Sequence, residues 1–204
     1  MAENIPLYQD YMAIADSLRG YASPKAKLTS MIKAGKIIKI RRGLYISPGD
    51  PEASGKTLAN KIYGPSYISF EYVLSYYGLI PERAHTVTSA SMGKNKNRLF
   101  HTPVGDFLYQ SIPPAVFPYG VLRMEEAAGP FLIAAKEKAL CDTLSKIGGI
   151  TTIPSLEAWL YDDMRLERED VFSLSVRDIG ALAPLYGKKS IKVLLEYLKK
   201  KNKS

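Results

Sequence analysis

Residues 18–48 carry Arg19, Lys25, Lys27, Lys33, Lys36, Lys39, Arg41 and Arg42, and not one Asp or Glu. The same stretch is punctuated so that few folds are open to it. Ser23 suits a helix N-cap, Pro24 suits the first helical position, and Gly35 stands where that helix would stop. Leu28, Met31 and Ile32 then share one helical face. Thr29, Ser30 and Lys33 occupy the opposite face, with Lys27 beside it. Beyond Gly35, Ile38 and Ile40 alternate with Lys39 and Arg41, and Leu44 and Ile46 alternate with Tyr45 and Ser47. This period of two, on either side of Arg41-Arg42-Gly43, predicts a hairpin with one apolar and one basic face. Gly43 supplies the positive φ of its turn. Upstream, Tyr8, Tyr11, Met12, Ala15 and Leu18 recur at spacings of three and four. They predict a first helix over residues 6–18, broken by Gly20.

Two helices followed by a basic hairpin read as a minimal winged helix-turn-helix. Small polar and basic side chains on the second helix could reach base edges in the major groove, and lysines could hold phosphates. Thr29, Ser30, Lys27 and Lys33 suit that role, with Lys25 and Lys36 flanking them. Arg41 and Arg42 at the hairpin tip would grip the backbone or an adjoining minor groove. Such units carry three helices and two are legible. The first is either missing or a short one within residues 4–10. A 50-residue unit buries little area, so it is expected to lean on the rest of the chain.

The chain has 204 residues, of which 46% are hydrophobic and 24% charged, with a net charge of +8. That suits a globular protein with a polyanionic partner. The longest apolar run, residues 131–135, is far below the ~20 residues of a membrane span. A single cysteine, Cys141, cannot form an internal disulfide, and the expected location is the cytoplasm. Turn residues at Pro48-Gly49-Asp50-Pro51 mark a boundary between a DNA-binding domain at residues 1–50 and a larger domain at 51–204. In the larger part, helices are expected over residues 54–63, 70–77 and 134–147. The one at 70–77 would be capped by Ser69 and stopped by Gly78. Strands are expected at Tyr67-Ile68 and over 87–91, 98–101, 107–111 and 120–124, with a basic turn over 93–98. A helical finish over 155–161, 176–185 and 190–200 completes an α+β class.

Several chemical signatures are incomplete. Gly55-Lys56-Thr57 has the ending of a phosphate-binding loop, but Asp50 stands where that motif needs its first glycine. His85, His101 and Cys141 do not make a nitrogen–sulfur zinc set. Glu137, Asp142, Asp162 and Asp163 show no paired spacing of a metal nuclease. Cys141 lies on an apolar helix face and reads as a core thiol. No catalytic residue, metal or cofactor is expected.

Three segments carry a family resemblance. GKIIKIRRGLYI at residues 35–46 resembles the wing of AbiEi-type antitoxins, the transcriptional regulators of type IV abortive-infection toxin–antitoxin systems. YISFEYVLSYYGLIPE at 67–82 is similar to the start of that family's C-terminal domain. AAKEKALCD at 134–142 resembles its Glu-Lys-Ala-Leu-x-x-Asp helix, with Lys136 where proline is usual. The resemblance implies a repressor of its own operon acting at inverted repeats in double-stranded DNA. It also implies a nucleotidyltransferase toxin as functional partner, countered without a stable complex. The residues it assigns to DNA are Lys33, Lys39, Arg41, Arg42 and Tyr45. Two rival readings are a nucleic-acid enzyme using Glu137 or Asp142, and an interaction module whose basic patch meets an acidic protein.

Overall fold

The computed structural model describes residues 8–48, 51–93, 96–126 and 129–201, and the chain is mixed α+β. The N-terminal part runs β1 (Tyr8–Asp10), α1 (Tyr11–Ser17), α2 (Pro24–Lys33), β2 (Ile38–Arg41) and β3 (Leu44–Ile46). The first helix therefore starts later than its apolar spacing predicts. Residues 8–10 pair with β3 as a strand, and the Asp10 carboxylate accepts from the Ala13 N–H at 2.8 Å, capping α1. Residues 6 and 7 lie outside the described residues. The stripe also differs. Ile14 and Leu18 are buried, whereas Tyr11 and Met12 face solvent, Met12 at 74% exposure. The helix α2 follows its punctuation: Ser23 Oγ accepts from the Ala26 N–H, Pro24 opens the helix, and Gly35 follows with φ +67°.

The three strands form an antiparallel sheet in the order β1-β3-β2. Arg42 and Gly43 make the turn between β2 and β3, Gly43 at φ +82°. Being central, β3 is covered on both faces. Leu44 and Ile46 join Ile40 in the main core of the protein. Tyr45 points the other way, into a small core with Ile14, Leu18, Leu28 and Ile37. The hairpin is thus clamped between α1–α2 and the larger part of the chain, as its small size demands.

The larger part begins with α3 (Pro51–Ile62); Gly49 and Asp50 of the expected boundary lie outside the described residues. It continues with β4 (Ser66–Ile68), α4 (Phe70–Tyr76), β5 (Val87–Met92), β6 (Arg98–Thr102) and β7 (Gly105–Ile112). A 3-10 turn (Pro114–Val116) leads to β8 (Val121–Glu126), β9 (Gly129–Ala134) and α5 (Lys136–Leu144). Then follow α6 (Ile153–Glu157), a π-helical segment (Ala158–Asp163), α7 (Arg168–Phe172), α8 (Val176–Tyr186) and α9 (Lys189–Lys201). The six strands order as β6-β7-β5-β4-β9-β8, with β7·β5 and β4·β9 parallel and the other pairs antiparallel.

Four local expectations change. The apolar run at 131–134 is a strand between β4 and β8, so the helix expected from residue 134 starts at Lys136. A short apolar run suits a buried strand or a buried helix equally, and pairing decides. Gly55-Lys56-Thr57 lies inside α3, not at its start. Ser69 precedes α4 but makes no cap bond, because its hydroxyl is turned onto Asp142. The helix α7 is additional, and the helix expected over residues 155–161 is divided between α6 and the π-helical segment. Lys94 and Asn95 of the expected basic turn lie outside the described residues.

Candidate nucleic-acid interface

Seven of the basic side chains from residues 18–48 face solvent: Arg19, Lys25, Lys33, Lys36, Lys39, Arg41 and Arg42. Arg19 pairs with Asp16 at 3.5 Å. No carboxylate pairs with any of the other six among the described residues. On α2, Ala26, Thr29, Ser30 and Lys33 recur at helical spacing and all are exposed, opposite buried Leu28. The Thr29 hydroxyl donates to the Lys25 carbonyl at 2.9 Å. Ser30 is exposed with no such back-bond.

Two sequence-derived assignments shift. Lys27 is half-buried, its ammonium 4.4 Å above the Tyr21 ring, so it packs across the start of α2. Tyr45 is not part of the exposed basic surface. It is 7% exposed and packs in the small core beneath α1 and α2. The hairpin's expected basic face is therefore carried by Lys39, Arg41 and Arg42 alone. Alternation placed Tyr45 opposite Leu44 and Ile46 correctly. The side opposite the main core is itself covered by helices, which no strand period can tell. Arg41 lies close enough to the larger part for its charge to act on Tyr109, whose hydroxyl burial pushes well above the usual tyrosine range. That hydroxyl donates to the Ala59 carbonyl at 2.6 Å.

The position of Tyr45 gives a direct check. Tyr45→Phe is expected to leave duplex binding unchanged. Tyr45→Ala empties a core site and is expected to cost about 3–5 kcal/mol of stability. A loss of DNA affinity in Tyr45→Phe with normal urea unfolding would return the residue to the interface.

A second cluster escaped the sequence reading. Lys138 and Asp142, one turn apart on α5, are both fully buried, with Nζ 3.5 Å from Oδ1. Lys138 Nζ donates to the Val116 carbonyl at 3.0 Å and to the Tyr186 hydroxyl at 2.7 Å. Asp142 accepts from Tyr186 at 2.5 Å, from Tyr67 at 2.9 Å and from Ser69 at 2.6 Å. Burial pulls the Lys138 ammonium below the usual lysine value, and Asp142 opposes that pull. Burial and then the Asp142 charge push the Tyr67 and Tyr186 hydroxyls up, so both stay protonated donors. Gly120, at φ +66°, presses on this site: a Cβ there would sit 2.9 Å from Lys138 Cβ. The available signal was a Lys and an Asp at i and i+4 on an otherwise apolar helix face. Glu137 is also buried, and its carboxylate accepts from the Ser175 N–H at 3.0 Å. Cys141 is fully buried, and burial pushes its thiol far above the usual value. That makes it an inert core thiol.

No family model matches this sequence, and no curated protein matches it. Among the described residues, no helix is long and apolar enough to cross a membrane.

Proposed function

We propose that the chain is a DNA-binding transcriptional regulator whose N-terminal β1-α1-α2-β2-β3 unit serves as a winged helix-turn-helix. The observation that carries this reading is the exposed, acid-free surface of α2 and the β2–β3 turn, where six cationic side chains lack carboxylate partners among the described residues. The sheet order β1-β3-β2, with two helices between the first strand and the hairpin, supports it. Of residues 4–10, where a short further helix is expected, residues 8–10 form β1 and residues 4–7 lie outside the described residues. In this reading α2 enters the major groove with Thr29, Ser30 and Lys33 towards the bases. Lys25, Lys36, Lys39, Arg41 and Arg42 hold phosphates.

The resemblance to AbiEi-type regulators supports a finer reading: an antitoxin that represses its own operon at inverted repeats and counters a nucleotidyltransferase toxin without a stable complex. The rival enzyme reading finds little support in the placement of Glu137 and Asp142, because both are buried and committed to internal hydrogen bonds.

The test is fluorescence anisotropy with the DNA immediately upstream of the gene and with unrelated duplexes, from 50 to 200 mM salt. Binding is expected to weaken steeply with salt as phosphate-bound counterions are released and re-bound. Ser30→Ala and Thr29→Ala are expected to change the ranking among sequences. An equal change for all duplexes would remove them as base readers, and no duplex binding at 50 mM salt would overturn the reading. For the antitoxin role, co-expression is expected to restore the growth of cells arrested by a nucleotidyltransferase toxin.

A further inference from the structure

The larger sheet ends on one side at β8, which pairs with β9 and, among the described residues, with no other strand. Its register with β9 is unbroken from Val121↔Ala134 to Glu126↔Gly129, and β8 contains no bulge, proline or glycine to blunt the edge. Leu122, Arg123, Met124 and Glu125 are all exposed. The direction of the backbone groups follows from the neighbouring rungs. Leu132 stands opposite Arg123, and the Asn60 side chain takes both Leu132 backbone groups: Oδ1 accepts from its N–H and Nδ2 donates to its carbonyl. The Ala135 N–H, in contrast, donates across the ladder to the Gly120 carbonyl at 2.8 Å. Bonded and non-bonded rungs alternate in an antiparallel pair. Leu122 and Met124 therefore bond inward to β9, and the N–H and C=O groups of Arg123 and Glu125 point to the open side. The side chains sort by face. Arg123 and Glu125 share one face and touch each other, 63% and 66% exposed. Leu122 and Met124 share the other, 43% and 37% exposed although large and apolar.

From this edge we infer that β8 is a homodimer interface, in which two copies join β8 to β8 antiparallel about a twofold axis at Met124. That register sets Arg123 opposite the partner's Glu125 and Glu125 opposite the partner's Arg123. These are the residues whose backbone groups face outward, so each such pair exchanges both of its N–H···O bonds. A shift of the axis by one residue sets Arg123 against its own copy, or Glu125 against its own copy, and like charges directly opposite are unfavourable. Edge charges that guard against pairing repel a second copy, whereas this strand attracts one. On the other face Met124 meets the partner's Met124, with Leu122 diagonal to it, and water leaves both apolar side chains. The opposite edge of the sheet, β6, carries Arg98 and His101 and no acid, so it lacks this self-complementarity. Pairing β6 to β8 would be head-to-tail and would not close. A six-residue edge buries less than the roughly 1,600 Å² of a standard interface, so the dimer is reversible and concentration-dependent. The edge lies outside the N-terminal unit, and the inference does not depend on that unit reading DNA.

The experiment is sedimentation equilibrium on the full chain over a wide range of concentration. The mass is expected to rise from one chain to two and to stop there. Arg123→Glu and Glu125→Arg each set like charges opposite one another and are expected to weaken the dimer by about tenfold. The exchange Arg123→Glu/Glu125→Arg restores opposite charges across the axis and is expected to return the dimer to wild-type strength. All three variants should keep the urea midpoint of the monomer, because the pair within one chain is exposed and contributes little. Leu99→Glu on β6 is the control and should leave the dimer intact. The inference is overturned by a monomer at every concentration, by single reversals that dimerise as wild type does, by an exchange variant that stays monomeric, by loss of the dimer in the β6 control, or by assembly that continues past two chains.

Discussion

Asp142→Ala is expected to destabilise the protein by about 3–5 kcal/mol, read as a lower urea midpoint with an unchanged slope. The reason lies in what stays behind. Lys138 would remain fully buried as a cation or be forced neutral, keeping only the Val116 carbonyl and the Tyr186 hydroxyl. The hydroxyls of Tyr67, Ser69 and Tyr186 would lose the oxygens that accept from them. Each unsatisfied buried polar group costs about 1–3 kcal/mol. Lys138→Met should be nearly as damaging, since Asp142 would be left without its counter-ion. The double variant Lys138→Met/Asp142→Leu should recover only the part of the loss that comes from the unpaired Lys138 ammonium, because the hydroxyls of Tyr67, Ser69 and Tyr186 still lack their acceptor. A midpoint equal to wild type in Asp142→Ala would mean that water reaches the pair and that its enclosure is incorrect.

The second large effect concerns DNA. Arg41→Ala/Arg42→Ala is expected to weaken binding to every duplex alike and to flatten the salt slope by about 1.8, one phosphate contact per arginine. At 0.1 M salt this corresponds to a loss of about 60-fold, shrinking as salt approaches 1 M. Both side chains are exposed, and Leu44 and Ile46 beside them keep the hairpin anchored in the main core. Urea unfolding should therefore move little. Arg42→Ala alone is the cleaner variant, because Arg41 also acts on Tyr109. Undiminished affinity in the double variant would sink the wing assignment, whatever α2 does.

The contrast between Tyr45 and Arg42 shows which kinds of inference travel from sequence to site. Arg42 sits in a two-residue turn, where a charged side chain has nowhere to go but solvent. Its exposure was legible because local geometry settles it. Tyr45 sits mid-strand, where geometry says only that it points away from Leu44 and Ile46. Whether that side is water or protein depends on α1 and α2 folding back over the sheet. The same limit applies to the segments carrying the family resemblance. Residues 67–82 and 134–142 look unrelated along the chain, yet Tyr67 and Ser69 of the first bind Asp142 of the second.

By itself, the sequence determined the features that act over a few residues. Ser23, Pro24 and Gly35 set the limits of α2, Gly43 set the turn, and the acid-free run over residues 18–48 set the basic surface. Caps, glycine φ values and net charge are local quantities, and they survive whatever the rest of the chain does. Only the tertiary structure decided which apolar segment became strand or helix, as at residues 131–134. It alone also decided that Lys138 and Asp142 are enclosed. Those outcomes depend on desolvation by partners about 20 to 70 residues away, and burial has no signature in the residue that suffers it. The acid-free stretch is thus fixed as a surface from position 18 to 48, while the face it presents was narrowed by the helices that took Tyr45 out of it.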